Sequence, residues 1–208
     1  MSHRDEFKPC KRVPLDSGYR IKFLSVLSDK MEVVAIDPGI SHCGMVRRVG
    51  DSYVECGTHD LTRYRAKQLA DRVRSFVHRH QSILQTADAV VMEIQPPGGG
   101  GDVVAQLMYQ ELREKVVWVH PCALHKHFQL KGLDYDARKR RSIELATSDL
   151  SSLNGWTRGR QHDMSDAWMM AEMHCSQLKA AEKLDNLRFE CKTSGFDRFR
   201  FRSAVKGG

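Results

Sequence analysis

The sequence lacks the features of several protein classes. No apolar run in its 208 residues approaches the roughly 20 residues that a membrane-spanning helix needs, so we expect no membrane partner. Its six cysteines include no CxxC pair, and the first residues lack the apolar stretch of a secretory signal. We therefore expect an intracellular protein in a reducing compartment. No internal repeat is present, and the length favours one domain with extensions.

Charge is unevenly distributed along the chain. Lysine and arginine total 33 against 26 aspartate and glutamate, for a net charge of +7. Residues 1–30 hold seven basic and four acidic side chains, residues 179–208 hold eight and four, and the segment between holds eighteen of each. This excess suits a polyanion such as nucleic acid, although basic tails on a neutral core also serve solubility alone. With 41% hydrophobic and 28% charged residues, collagen, coiled coil and bulk disorder are excluded.

Apolar runs and helical periodicity predict an α/β fold. Strands are predicted over 31–36, 44–49, 52–56, 87–92 and 116–120. Helices are predicted over 64–80, with a basic outer face, over 103–115 with Asp102 as N-cap, from about residue 136, and over 163–178. The first three strands follow one another and favour antiparallel pairing, which gives a mixed sheet with helices on its faces. We place the domain at 31–178, between basic extensions at 1–30 and 179–208.

Acidic side chains are predicted to meet at one edge of this sheet. Asp37 and Glu93 each end a predicted strand, and sites in such sheets lie beyond the carboxyl ends of the strands. Asp163 and Asp166 are three residues apart at the start of the last helix and share a face. That pair alone is typical of an acidic helix cap. Four clustered carboxylates instead predict Mg²⁺ or Mn²⁺, two of which about 4 Å apart would support phosphodiester hydrolysis.

Basic residues near these acids are candidates for holding a nucleic-acid backbone. They are Lys126, on a predicted loop, and the helical run Arg138, Lys139, Arg140 and Arg141. Such a run is by itself typical of a solvated helix face. The segment 120–127 has cysteine and histidine at spacings that zinc accepts, but no second ligand pair accompanies it, which favours a strand end and a loop.

Four short motifs gain specificity from their order in the chain. They are Ile36-Asp37-Pro38-Gly39 followed by Gly44, Val91-Met92-Glu93 followed by Gln95-Pro96, the helix that begins Arg138-Lys139-Arg140-Arg141-Ser142-Ile143, and Asp163-x-x-Asp166-Ala167. This ordered set, spread over residues 31–178, resembles the RuvC-like Holliday junction resolvases. It is most similar to the branch found in poxviruses and other large DNA viruses.

The resemblance implies an RNase H-like fold, with a mixed five-stranded sheet and helices on both faces. It also implies a homodimeric endonuclease that makes paired, symmetric nicks across a four-way DNA junction, with two Mg²⁺ ions per active site and no small-molecule cofactor. The metal-binding catalytic acids would be Asp37, Glu93, Asp163 and Asp166. Lys139 would be the basic active-site residue, with Arg140 aligning almost as well. A viral member would work at a replication site in the cytoplasm or the nucleus.

Two features depart from the family pattern. Residues 98–101 are all glycine where a junction-binding loop is expected, so an aromatic wedge would have to come from Tyr109 or from the extensions. His162, beside Asp163, could transfer protons or bind metal, although a histidine at a helix start is more often a bystander. Phenylalanines interleaved with arginines over 188–202 could clamp DNA or fold over the core.

Other functions fit parts of the pattern. The same carboxylates and metals would serve an RNase H-like enzyme that cuts RNA or RNA/DNA hybrids, and a non-catalytic protein could bind junctions on the same fold. An actin-like ATPase or sugar kinase would need a second domain and a second phosphate loop, which the length and sequence disfavour. The helix over 103–115, apolar on one face, is a candidate dimer interface or packs on the sheet.

Overall fold

A mixed five-stranded sheet forms the centre of the molecule. The computed structural model describes residues 30–157 and 159–193, with side chains as far as residue 185. The strands are β1 (Glu32–Pro38), β2 (His42–Val49), β3 (Ser52–Asp60), β4 (Ala89–Glu93) and β5 (Val116–Val119). They lie in the order β3-β2-β1-β4-β5. β1, β2 and β3 pair antiparallel, whereas β4 lies parallel to β1 and β5 parallel to β4. The predicted mixed sheet is confirmed.

Helices cover both faces of the sheet, as predicted. They are α1 (Leu69–Arg79), α2 (Gln81–Thr86), α3 (Gly100–Leu112), α4 (Pro121–His127), α5 (Tyr135–Leu150) and α6 (Gln161–Thr193). Successive residues of β1 point to opposite faces. Val33 and Ala35 pack with the apolar residues of α4, α5 and α6, whereas Val34 and Ile36 pack with those of α1, α2 and α3. Burial on both faces explains why the strand is a continuous apolar run.

The first helix is shorter than periodicity predicts. The helix expected over 64–80 begins at Leu69, and α2 follows it as a separate short helix. Residues 64–68 form an irregular segment, in which Arg72 donates from Nε to the Ala66 carbonyl at 2.8 Å. A side-chain bond to the backbone here replaces the helical ladder.

Two other helix starts differ from the prediction. Asp102 is not the N-cap of α3, because the helix begins at Gly100 with Gly99 as N-cap, and the Asp102 carboxylate instead accepts a bond from the Gly98 amide at 3.2 Å. The segment predicted as a loop contains α4. Its first residue is Pro121, and the His120 imidazole caps it by accepting from the Cys122 amide at 3.2 Å. His120 therefore has a structural role as a helix cap, which needs no zinc.

The last helix is longer than predicted. α6 runs past residue 178 to Thr193, across the expected start of the C-terminal extension. Lysine, alanine and glutamate at 179–183 are strong helix formers, so propensity continues the helix after its buried part ends. The interleaved phenylalanines and arginines of the predicted extension lie outside the described side chains.

A buried arginine anchors α6 to the β2–β3 hairpin. Arg48, only 5% exposed, donates to the Glu172 carboxylate at 2.7 Å, and the Tyr53 hydroxyl donates to the same oxygen at 2.9 Å. Burial and the neighbouring Glu172 charge raise the pKa of Tyr53. These bonds hold the middle of α6 against the hairpin and so fix the position of its first turn.

Two absences concern the described residues. Within 30–157 and 159–193, no helix is both long and apolar enough to cross a bilayer. The four cysteines whose side chains are described, Cys43, Cys56, Cys122 and Cys175, are all free.

Candidate active site

Two of the predicted acids end neighbouring parallel strands. Asp37 is the last residue but one of β1, and Glu93 is the last residue of β4. The register pairs Ile36 with Met92, so the next residue along each strand lies at the same edge of the sheet. This is the carboxyl edge, where sites form in such folds.

A glycine on β2 lets the start of α6 approach this edge. Gly44 pairs with Asp37 across the antiparallel ladder. The backbone of Asp163 lies directly against Gly44, where an added Cβ would be 2.0 Å from the Asp163 carbonyl oxygen. The missing side chain therefore makes room for the first turn of α6, which carries Asp163 and Asp166. All four predicted acids belong to this one edge of the sheet.

Lys139 completes the cluster from α5. This helix begins after Asp134, whose carboxylate accepts from the Ala137 amide at 2.7 Å. Lys139 donates from Nζ to the Asp166 carboxylate, and its ammonium lies 5.6 Å from the centre of the Tyr135 ring. The neighbouring Arg140 is exposed. Of the two basic residues that the resemblance left open, the structure therefore brings Lys139 to the acids.

Buried hydroxyls hold α5 and α6 together at this point. The Ser142 and Ser165 hydroxyl oxygens are 3.3 Å apart and both residues are buried. Each lies one turn or less from Lys139 or Asp166, so the contact keeps those two side chains in register. Sequence reasoning gave Ser142 and Ser165 no role, because a serine pair gives no signal until the two helices are known to touch.

The electrostatics of the cluster favour positive charge. Burial, reinforced by the charges of Asp166, Glu93 and Asp163, raises the pKa of Asp37 well above its usual range, although Lys139 opposes the rise. Burial and the Asp166 charge raise the pKa of Glu93 to about 7. Burial also raises the pKa of Asp166, with Lys139 partly offsetting it. These carboxylates repel one another and are stabilised by any cation that approaches.

The donor set fits a hard divalent cation in its chemistry. Carboxylate oxygens are the ligands that Mg²⁺ and Mn²⁺ prefer, and Asp37, Glu93 and Asp166 lie within electrostatic reach of one another. Within the described residues no three acidic, histidine or cysteine side chains are arranged as a ready-made metal site. The Lys139 ammonium here provides the positive charge beside Asp166.

Asp163 is held differently from the other three acids. Its carboxylate lies 2.9 Å from His162 Nε2 and 3.5 Å from a guanidinium nitrogen of Arg160. Of the three acids that raise the pKa of Asp37, Asp163 has the smallest effect. His162 therefore contacts the cluster through Asp163. Arg160 was missed in the sequence because it precedes the helix and belongs to no motif.

The predicted phosphate-binding residues differ in their burial and in their partners. Lys126, predicted on a loop, is exposed on α4, and Arg138 is half-buried on α5. Arg138 and Asp166 both perturb the pKa of His125, which burial lowers, so the end of α4 lies near the acids. Arg140 and Arg141 are exposed, and Arg141 pairs with Glu144 at 3.0 Å.

Comparison with known proteins finds similarity at the level of structure. The sequence matches no protein-family model and no curated protein. Thermus thermophilus RuvC in complex with a Holliday junction substrate aligns at 18% identity over 73% of this chain and 97% of that one, with a TM-score of 0.52. The fowlpox virus resolvase in complex with its Holliday junction DNA aligns at 15% identity over 71% and 99%, with a TM-score of 0.54.

These alignments establish the class of fold. The chain has an RNase H-like α/β fold, as the motifs predicted. More particularly, it has the arrangement found in RuvC and in the fowlpox virus resolvase. The alignments cover 97% of the RuvC chain and 99% of the resolvase chain.

Proposed function

We propose that this protein is a metal-dependent endonuclease that resolves four-way and other branched DNA junctions by paired, symmetric nicks. The observation that carries the proposal is the meeting of Asp37, Glu93, Asp163 and Asp166 with Lys139 at the carboxyl edge of a RuvC-type sheet. The two aligned complexes contain Holliday junction DNA as the substrate of those proteins. The same fold with a clustered acidic site supports the same chemistry here.

The acids would hold two Mg²⁺ ions, for which Mn²⁺ would substitute. Bound, such ions supply an activated water and stabilise charge on the attacking and leaving oxygens. Asp37 and Glu93, on adjacent strands, provide rigid ligands, whereas Asp166 is positioned by a helix that Arg48 anchors. Because their raised pKa values make bare carboxylates costly, these groups gain more from a cation than exposed carboxylates would.

Lys139 would hold a substrate phosphate beside the acids. Its ammonium contacts Asp166, and it packs near Tyr135, which is 63% exposed. A charged donor at this position can bind a non-bridging phosphate oxygen as negative charge develops on it. Arg138 and Lys126 extend the positive surface from this point along α5 and α4.

A homodimer would present two such sites to the two strands of a nearly two-fold junction. The apolar face of α3 does not serve as its interface, because Val104 and Met108 pack in the core. The large hydrophobic residues that α3 leaves exposed are Val103, at 47%, and Tyr109, at 40%. Ile40, 55% exposed, packs against the start of this helix at Gly100. These exposed residues are the surface that we propose for dimerisation.

Cleavage of labelled substrates tests the proposal. A four-way DNA junction, a linear duplex and an RNA/DNA hybrid are compared with Mg²⁺, with Mn²⁺ and with chelator. We expect metal-dependent paired nicks in the junction, no detectable cleavage by Asp166→Asn, and normal cleavage by Glu144→Gln, an exposed acid on α5. Cutting of the hybrid alone would assign the protein to ribonuclease H chemistry, and tight junction binding without any cutting would make it a binding protein.

A further inference from the structure

A cleft opens at the edge of the sheet next to the acidic cluster. It has a volume of about 380 Å³ and lies where β2 begins and β3 ends. Its walls come from three directions, with His42 and Thr58 on the strands, Arg63 and Arg79 on the side of α1, and Arg160 just before α6. We call it the β3 cleft. None of its residues belongs to the motifs that the sequence analysis singled out.

The β3 cleft carries a net positive charge. Three arginines border it, Arg63, Arg79 and Arg160, and the one acid among its lining residues is Asp60. Asp60 accepts from the Thr62 amide at 2.9 Å and from the Thr62 hydroxyl at 2.6 Å, and it pairs with Arg63 at 3.3 Å. One acid against three arginines leaves the cleft with a surplus of two positive charges. The Arg79 guanidinium lies 4.9 Å above the centre of the Tyr64 ring, which orients it at the wall of the cleft.

Strand register ties the cleft to the acidic cluster. Asp37 pairs with Gly44, and Gly44 pairs with Thr58, so one row across the sheet leads from the candidate active site into the cleft. Two strand spacings separate the ends of this row by about 10 Å. Side chains paired across strands point to the same face. Thr58 and Asp37 therefore both face the start of α6, and the Thr58 hydroxyl donates to the Arg160 carbonyl at 3.4 Å.

A buried nitrogen beside the cleft has no partner. His59 also borders the cleft, and within the described residues its Nε2 is buried and makes no hydrogen bond. Burial, together with His80 and Arg79, lowers the pKa of His59 to about 4, so the ring is neutral near pH 7. A neutral imidazole can still donate one hydrogen bond. Buried polar atoms usually have a hydrogen-bond partner, so this nitrogen is a group that a ligand in the cleft could satisfy.

We propose that the β3 cleft binds a backbone phosphate of the nucleic-acid strand whose cleavage occurs at the acidic cluster. The inference rests on the proposed nuclease function and assigns the direction in which the cut strand leaves the site. With about 3.4 Å of rise per nucleotide, the 10 Å separation places this phosphate within about three nucleotides of the scissile one. Arginine donors suit a phosphate because their fork matches two of its oxygens.

Single neutral phosphates test this assignment. Junctions carrying one methylphosphonate, placed in turn at each of the three positions on either side of the cleavage site, are titrated with full-length protein in chelator. We expect wild type to bind about tenfold less tightly at one or two positions. The Arg63→Ala/Arg79→Ala variant should lose that sensitivity and show a salt dependence smaller by about one phosphate. Arg113→Ala, an exposed arginine outside the cleft, should behave as wild type.

The outcomes separate this inference from the nuclease proposal, because binding is measured without cleavage. Equal sensitivity of wild type and double variant at every position would overturn the cleft assignment even if cleavage is normal. Pyrophosphate titrated into histidine-labelled protein, with His59 resonances observed by NMR, distinguishes the source of the anion. Pyrophosphate binding in the cleft combined with no methylphosphonate effect would assign the cleft to a free phosphate compound and overturn the nucleic-acid assignment.

Discussion

Replacing Gly44 with alanine tests how the two halves of the acidic cluster are brought together. An added Cβ at Gly44 would lie 2.0 Å from the Asp163 carbonyl oxygen and 2.3 Å from its carbonyl carbon. A carbon–oxygen contact needs about 3.3 Å, so the start of α6 must move away from β2 by roughly 1.3 Å. Both strand and helix backbones form this contact, so no flexible side chain can absorb the change.

The displacement should affect catalysis more than folding. A misplacement of about 1 Å in a catalytic group can cost roughly 100-fold in rate, and overpacking costs about 1 to 3 kcal/mol in stability. We therefore expect Gly44→Ala to cut four-way junctions about 100-fold more slowly in single-turnover assays with Mg²⁺. Its free energy of unfolding in urea should fall by about 2 kcal/mol. Junction binding should persist, because the basic residues lie on other elements.

Gly57 on β3 provides the matched control. A Cβ at Gly57 would have its nearest contact at 3.5 Å, with the His59 imidazole, which is an ordinary packing distance. Gly57→Ala should therefore cut at nearly the wild-type rate. A folded Gly44→Ala protein with wild-type cleavage and unchanged stability would refute the view that close approach at Gly44 positions Asp163 and Asp166.

Three further predictions concern single side chains. Lys139→Ala should slow cleavage about 100-fold, whereas Arg140→Ala, exposed on the same helix, should leave the single-turnover rate nearly unchanged. The pKa of Glu93 is raised to about 7, so ionisation destabilises the fold as pH rises from about 4.5 to 7. In chelator, the free energy of unfolding of Glu93→Gln, measured in urea, should rise by about 2 kcal/mol relative to that of wild type as pH increases from about 4.5 to 7. Parallel pH profiles of the two proteins would contradict this. Arg48→Met should cost about 3 kcal/mol in the same assay, because it leaves the partly buried Glu172 carboxylate without its cation. Arg47→Met, which removes a more exposed arginine from its pair with Glu32, should cost under about 1 kcal/mol.

Much of the sheet could be predicted from the sequence, because buried strands are apolar runs with clear ends. β1 and β4 differ from their predicted bounds by only one or two residues. The helices were harder to predict. α1 starts late because Arg72 bonds to the backbone of the preceding segment, and α4 was missed because its N-cap is a histidine, which is not a usual capping residue. Local patterns do not record such side-chain bonds.

Some residues of the candidate site could likewise be predicted from the sequence, and others could not. Asp37, Glu93 and the Asp163/Asp166 pair were predictable because each lies at the end of an element with a strong pattern. The choice between Lys139 and Arg140 was not, since adjacent residues on a helix point about 100° apart and only the packing of α5 on α6 decides which faces inward. The β3 cleft lay beyond sequence reasoning, because its residues come from separate elements that meet only in the folded chain.

The length of α6 sets a distance scale for the molecule. Thirty residues separate Asp163 from the helix end at Thr193, which corresponds to roughly 45 Å at 1.5 Å per residue. One turn of duplex DNA is about 34 to 36 Å long. The end of α6 at Thr193 is thus more than a full DNA turn away from the carboxylates. Beyond the Arg48–Glu172 contact, Met173 and Cys175 still pack in the core and Lys179 pairs with Asp51 at 2.6 Å. α6 is therefore fixed to the domain through its first half and separates its C-terminal end from the carboxylates by a set distance.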